Sequence, residues 1–563
     1  MSTSSSPGTP TGWSKWLFGA FSLGWLALWF AGLGARPLGE PDEGRYAEVA
    51  REMFASGNWL TPKLDGFNFF DKPALQYWAT SIFYTLFGVH EWTARLWVAS
   101  TGMLAIVVAA WAAKRLYGAR SGWITALILG SALLFMAGGH INTIDMGVAA
   151  FLGVGICLFL VAQFDPTAEP LRTRLNLLGW ASLALAVLSK GLIGIVFPAA
   201  TLFVFMLWER DWSILRRMTM GWGLLLLLVI TAPWFVAISL RHPDFFDYFF
   251  IREHFSRFLT SVDGRDQPWW FFPVVVVLGL FPWTVFLPFN RSSWRSVHDG
   301  ARSSRFLLCW VGVVVVFFSV SHSKLPFYIL PVFPALAILL ARSISSLPMK
   351  ALVWRFMAVA LLAAVVVVAA LMQPTGSGYF ARHTDMQGVL LKLALGFGLL
   401  VAAASLGGLL IVFRRRALAA VGLLGFASLF VWQMLFANLG SVANDLSAAP
   451  AAKLMQPYLQ ANTEVFTVHA YLRGLSFYLH RLVTVVDDSP DDITPGRLSR
   501  PEGYVPKLVD FEGRWRAAPS ALAVVDTRLL PQLQADKLPM VVIGTLPKRT
   551  VIRRPPATGP ANP

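Results

Sequence analysis

Charge is what this sequence has least of. Of its 563 residues only 14% are Asp, Glu, Lys or Arg, against roughly 25% in an ordinary soluble chain. That scarcity excludes a soluble enzyme held by one membrane anchor. Cysteine is nearly missing. Cys157 and Cys309 are the whole complement, and both sit in apolar runs, which excludes a disulfide framework and a cysteine zinc site. Acidic residues are the scarcer sign, with 31 Asp and Glu against 47 Lys and Arg and a formal net charge of +16. In a soluble protein that balance would point to nucleic acid. In a membrane protein it marks the cytoplasmic ends of helices, so no nucleic-acid partner is expected. The first apolar run lacks a small-residue cleavage site, so it reads as a span rather than a removable signal.

What fills the chain is apolar: 56% hydrophobic residues, with 43 Phe and 23 Trp. The expected fold class is a polytopic α-helical membrane protein with aromatic interfaces. About 13 runs have the length and polarity of spans: 13–34, 92–113, 121–138, 146–163, 176–188, 192–208, 220–239, 270–289, 306–320, 327–341, 356–373, 388–413 and 417–439. The runs 176–188 and 306–320 are short for a full crossing. With the N-terminus in the cytoplasm, every inside loop is basic. Examples are Lys114, Arg115 and Arg120; Arg210, Arg216 and Arg217; and Arg414, Arg415 and Arg416. An odd number of spans then places the C-terminal segment outside, in the periplasm if the source is Gram-negative.

The chain divides into a membrane domain, 1–442, an outside α/β domain, 443–548, and a proline-containing tail, 549–563, expected to be disordered. Within the first, 35–91 is an outside loop too long for a turn. Tyr46, Val49, Ala50, Met53 and Phe54 recur at helical spacing, with Arg45, Glu48, Arg51 and Glu52 on the other face. Leu75, Trp78, Ile82, Phe83 and Leu86 form a second stripe behind Pro73. Both predict amphipathic helices along the membrane surface. In the C-terminal part, 449–460 predicts a short helix. The runs 465–468, 482–486, 522–525 and 541–543 predict strands.

Six polar motifs interrupt the outside face. Glu40-Pro41-Asp42-Glu43-Gly44-Arg45-Tyr46 offers carboxylates and an arginine that can orient a sugar, assist a nucleophile or bind a metal; a plain helix cap by Asp42 or Glu43 is the alternative. In Phe70-Asp71-Lys72-Pro73, Lys72 is a point cation suited to phosphate, and Asp71 also fits a cap. Asp145, in Asn142-Thr143-Ile144-Asp145, is an acid at the edge of hydrocarbon, functional by default unless it too is a cap. Lys190 lies where the positive-inside rule asks for no cation, though it also fits a snorkelling lysine. Arg252-Glu253-His254 and Arg257 combine cations with a histidine and a carboxylate that have the makings of a metal site. Lys324 and Tyr328 flank Pro326 beside another span end. Their common side matters more than any one motif. Cations and acids gathered near lipid suit an anionic lipid headgroup and a reaction on it.

The stretches GEPDEGRYAEVAREMFASGNWL, FDKP, NTID, SKG, EHFSRF with QPWWFFPV, and SKLPFYILP resemble the aminoarabinose transferases of lipid A. These are membrane glycosyltransferases of the GT-C type, related to protein O-mannosyltransferases, and the resemblance covers nearly the whole chain. It implies transfer of 4-amino-4-deoxy-L-arabinose from undecaprenyl phosphate to a lipid A phosphate, among membrane lipids. It implies that Asp42 and Asp145 are the family's acidic pair, with Glu43 beside them, and that Lys72 binds the carrier phosphate. Arg257 and Tyr328 fall where the family contacts that phosphate, and Arg45, Lys190, Lys324 and Arg252 complete the expected substrate-binding set. The family motif is [DE]-K-P, and this chain has the shorter acid, Asp71. A divalent metal, zinc first since it accepts nitrogen and oxygen donors, would take Asp71 and His254.

Two other readings stay open. A related enzyme could use another sugar or a protein acceptor, and a hydroxyl acceptor would need Asp42 as a true base. A transporter would place charges near the middle of its spans and show repeat symmetry; here the unexplained charges crowd one face.

Overall fold

Apolar runs become helices here because lipid leaves a backbone no partner but itself. The computed structural model describes residues 12–256, 266–287, 302–372, 386–438, 440–488, 490 and 492–556. Every run expected to cross the membrane overlaps a helix. Among the described residues, eight helices are long and apolar enough to cross by length and composition, or nine if one bent pair is a single span. The first part of the chain runs α1 (Gly12–Phe30), α2 (Asp42–Ser56), a hairpin of β1 (Lys63–Leu64) and β2 (Phe67–Asn68), then α3 (Leu75–Phe87) and α4 (Glu91–Tyr117). It continues through α5 (Ala119–Ser131), α6 (Leu133–His140), α7 (Ile144–Phe164), α8 (Arg172–Lys190), α9 (Ile193–Glu209), α10 (Ile214–Arg217) and α11 (Met220–Arg241). The two short runs extend to 19 residues each, as α8 and as Arg302–Val320.

The span expected at 121–138 is the bent pair, α5 and α6 meeting at 62°. Ala132 is extended there, which breaks the helical hydrogen-bond ladder. Neighbours take up the freed groups: the Trp432 indole donates to the Ser131 carbonyl at 2.9 Å, and the Leu133 amide donates to Phe281 at 3.3 Å. Irregular backbone at this depth is tolerable because it is buried in protein rather than lipid.

Charges sort to the two ends of the bundle. At one end Arg115 pairs with Asp165, Arg302 and Arg305 with Glu209, and Arg217 and Arg302 with Asp211, linking four interhelical connections. At the other end α2 and α3 lie together, joined by Ser81 and Tyr84 hydroxyls donating to the Ala50 and Ala47 carbonyls. Ile82, Leu86 and Phe87 of α3 remain exposed, an apolar face suited to lipid.

The polar face of α2 does not meet water. Glu48, Arg51 and Glu52 are all buried. Glu48 and Arg51 form a paired fork at 2.7 Å, and Glu52 accepts the Gly66 amide. The C-terminal domain covers them. Its strands are β3 (Glu464–Val468), β4 (Thr484–Val486), β5 (Tyr504–Val505), β6 (Ala521–Asp526), β7 (Val541–Thr545) and β8 (Arg549–Arg553). They form one sheet in the order β5-β4-β3-β6-β8-β7, parallel from β5 to β6 and antiparallel beyond. One face packs Phe466 on Phe511 and Trp515. The opposite face, with Val465, Val485, Leu522 and Val551, shares a core with Tyr46, Val49, Ala50 and Met53 of α2. The domain is therefore built onto the juxtamembrane helices.

The expected disordered tail, 549–563, is corrected at its start. Residues 549–553 are β8, paired on both sides, with Thr550, Val551 and Ile552 buried. The prolines that favoured disorder begin only at Pro555.

Burial, with the Asp65 charge beside it, pushes the Glu52 carboxyl up to about 7. A raised acid pKa stabilises the fold below the unfolded value and loses that contribution as pH rises through the folded one. At pH 8 an ionised Glu52 costs about 3 kcal/mol. Thermal unfolding of the full chain in detergent is therefore expected to show a melting temperature rising as pH falls from 8 to 6. Glu52→Gln is expected to reduce that dependence, with Glu40 still contributing to it, and to raise stability at pH 8.

Candidate functional site

The approach to α2 is fixed before any chemistry is placed. The Glu40 amide donates to the Leu446 carbonyl at 2.7 Å, and its carboxylate accepts the amides of Arg473 and Gly474 at 3.1 and 2.7 Å. Burial pushes the Glu40 carboxyl up to about 7. Pro41 precedes the helix, and α2 has no side-chain cap. The first turns of α3 and α7 also lack one. Capping therefore explains none of Asp42, Glu43, Asp71 or Asp145.

Glu43, expected among the catalytic acids, turns away from solvent. It is buried and accepts hydrogen bonds from Arg36 at 2.5 Å, Arg95 at 2.7 Å, the Gly39 amide at 2.9 Å and the Asn142 amide at 2.9 Å. Burial alone would raise its pKa, but Arg95 and Arg36 outweigh that and hold it well below the usual carboxylate range. With both oxygens filled by protein donors, Glu43 acts as the tie between α2, α4 and the start of α7.

Asp42, one residue earlier, faces the other way and its side chain is 40% exposed. It pairs with Arg45 one turn along the helix. The second Nη of Arg45 donates to Asp492 of the C-terminal domain at 3.1 Å.

Lys72 comes from the loop after β2. Its ammonium donates to Glu253 at 2.7 Å. Asp71, beside it, accepts the Tyr248 hydroxyl at 2.6 Å. Both partners stand on the π-helical turn Asp247–Ser256, where Arg252 lies over the Tyr248 ring at 5.4 Å. Burial and the nearby Glu253 charge push the Asp71 carboxyl up to about 6, against the pull of Lys72 and Arg45. The Arg45 field at Asp71 makes these two groups one neighbourhood.

Asp145 pairs with Lys190 at the ends of α7 and α8. Lys190 in turn lies 4.0 Å from the centre of the Tyr328 ring, a cation–π contact. Lys324 is set apart from these pairs, with its ammonium donating to the Gln267 carbonyl at 2.7 Å. Tyr46 joins the groups, since its hydroxyl feels Arg45, Asp42 and Asp145. Arg257 lies outside the described residues, as does the His254 side chain.

The structure thus brings together Asp42, Arg45, Asp71, Lys72, Asp145, Lys190 and Tyr328. It adds residues that no local pattern marks. Tyr77 is fully buried, within the fields of Asp71, Arg45 and Asp42, and its hydroxyl has no partner among the described residues. Asp492 arrives from a loop hundreds of positions away. A cavity of about 500 Å³ opens beside Glu40, lined in part by Arg473, Lys548 and Arg549. For a divalent metal, the donors in view are the Asp71 and Glu253 carboxylates, and Glu253 already holds Lys72. Among the described residues no three His, Cys, Asp or Glu side chains form a metal group.

Removing Glu43 strands the buried Arg95 and the part-buried Arg36, a loss on the order of 3–5 kcal/mol. Glu43→Ala is expected to give little folded protein by size-exclusion chromatography. Asp42→Asn is expected to elute and melt like the parent chain, because its carboxylate is half in water.

Two family models match the chain. "Aminoarabinose transferase C-terminal domain" covers residues 451–554. "Dolichyl-phosphate-mannose-protein mannosyltransferase" covers 26–249. An undecaprenyl phosphate-alpha-4-amino-4-deoxy-L-arabinose arabinosyl transferase of Erwinia tasmaniensis is 34% identical over 57% of this chain and 58% of its own length. The match thus spans less than two thirds of that relative. The protein of the same name from Edwardsiella ictaluri is 30% identical over 70% of this chain and 73% of its own. The crystal structure of ArnT from Cupriavidus metallidurans bound to undecaprenyl phosphate superposes with a TM-score of 0.90. It is 32% identical, covering 97% of this chain and 99% of the other. With the same bundle, the same C-terminal sheet and this identity end to end, the chain belongs to the aminoarabinose transferase family of membrane glycosyltransferases.

Proposed function

We propose that this protein transfers 4-amino-4-deoxy-L-arabinose from undecaprenyl phosphate to a lipid A phosphate at the periplasmic face of a bacterial inner membrane. The observation that carries the reading is Lys72. It is a largely buried cation at the membrane surface, held on Glu253 beside Asp71, whose carboxyl also feels the arginine that pairs with Asp42. Near-complete alignment with a structure that holds undecaprenyl phosphate supports the donor. The basic ion-pair network at the opposite end of the bundle supports the orientation, since cytoplasmic ends gather Lys and Arg.

The chemistry follows from charge. An acceptor phosphate oxygen forms a bond to the anomeric carbon of the sugar. The bond from that carbon to the carrier's phosphate oxygen breaks, and the carrier leaves as a phosphate. Negative charge grows on the leaving phosphate, and Lys72 is placed to balance it when the phosphate displaces Glu253. Positive charge grows at the anomeric carbon, and Asp42 and Asp145 are the acids at hand to stabilise it. A phosphate acceptor is ionised at neutral pH and needs little help from a base. The cavity beside Glu40, where Arg473, Lys548 and Arg549 face Glu40 and Asp445, could take a further anionic group of the acceptor.

A divalent cation on Asp71, zinc by preference, belongs to the same proposal as an accessory. A third donor is needed to complete such a site, and His254 is next to Glu253 in the chain. No step of the transfer depends on it here.

The purified chain, given the undecaprenyl-phosphate-linked sugar and lipid A, is expected to raise the lipid A mass by one pentosamine. Lys72→Ala is expected to lower kcat by about 100-fold or more while the protein stays folded. Unmodified lipid A with the parent chain would refute the reading. Modification of a protein hydroxyl instead would favour the mannosyltransferase-like alternative, to which the 26–249 match also points.

A further inference from the structure

The C-terminal domain touches the candidate site at one carboxylate. Asp492 is 4% exposed and accepts hydrogen bonds from two arginines. Arg473, of its own domain, gives it Nε and Nη2, the latter at 3.0 Å. Arg45, of α2, gives it Nη1 at 3.1 Å. Burial would raise the Asp492 pKa, but Arg45 and Arg473 overcome this and keep it below the ordinary carboxylate range. It is therefore ionised wherever the protein is folded near neutral pH.

Arg45 is the shared element. Its guanidinium bridges two carboxylates from two domains, Asp492 through Nη1 and Asp42 through Nη2. Its Nε is buried and has no partner among the described residues. A guanidinium is a flat, rigid fork, so fixing one nitrogen fixes where the others point. Asp492 sets the plane of the fork, the fork holds the Asp42 carboxylate, and the Nε–H stays unspent. Close by, Glu40 accepts the backbone amides of Arg473 and Gly474. The domain thus grips both sides of the turn that carries Asp42.

We propose that Asp492 is a positioning residue for the transfer, orienting Arg45 and through it Asp42, so that the C-terminal domain completes the site. This rests on the transferase reading above. The residue touches neither donor nor acceptor. Its loss misaligns Asp42 without removing any group that binds the carrier.

The test uses the full chain in detergent with the lipid-linked aminosugar and lipid A. Asp492→Asn is expected to lower kcat roughly tenfold or more, with the KM for the donor within about twofold. Asp492→Glu, which keeps the charge, is expected to recover most of the rate. Arg45→Lys removes the fork, so adding Asp492→Asn to it is expected to change kcat less than about twofold. A parental kcat in Asp492→Asn would overturn the proposal. So would the same fractional loss in the Arg45→Lys background, or a loss across both Asp492 variants that merely tracks their melting temperatures. An inactive parent chain would instead sink the transferase reading, a result separate from these.

Discussion

A buried acid between two arginines is the constraint on which the rest of this structure depends. Glu43 is shared by Arg36 and Arg95, and takes the Gly39 and Asn142 amides as well. Arg95 also donates to the carbonyls of Leu33, Arg36 and Pro37. One ion cluster therefore satisfies the chain leaving α1, the start of α2, the middle of α4's polar end and the turn into α7. Charges this close to hydrocarbon are costly unless fully paired. Full pairing leaves the cluster one arrangement, which fixes where Asp42 begins its helix and where Asp145 begins another.

Around that tie three more pairs of opposite charge line the site. Asp42 has Arg45, Glu253 has Lys72, and Asp145 has Lys190. Each of these three charges is thereby balanced by a protein partner. The site is also ready for an anionic lipid, because each lysine can exchange a protein carboxylate for a phosphate. The aromatic groups add shape. Tyr328 supports Lys190, Tyr248 holds Asp71, and Tyr46 stands between Asp42 and Asp145.

Much of this was legible in the sequence, for reasons of periodicity. The stripe from Tyr46 to Phe54 placed α2, and runs of apolar residues placed the spans, because helix geometry is local. The end of the bundle where acids and cations pair around α2 was marked by the cations that the loops did not explain. The limits are equally physical. Lys72 and Glu253 are 181 positions apart, and Arg45 and Asp492 are 447 apart, so no local spacing pairs them. Glu43 was grouped with Asp42 because adjacency looks like shared purpose, yet on a helix neighbours point about 100° apart. The polar face of α2 read as solvated, since a domain docking on charges leaves the same pattern as water. The bend at Ala132 depends on Trp432 and Phe281, again distant in the chain.

The central claim is that Lys72 receives the carrier phosphate by leaving Glu253. An experimental structure of this chain with undecaprenyl phosphate tests it most directly. The account predicts a phosphate oxygen within hydrogen-bond distance of Lys72 Nζ, about 3 Å, with the Glu253 carboxylate drawn back from it. A phosphate bound elsewhere, with the Lys72–Glu253 pair intact, would contradict it.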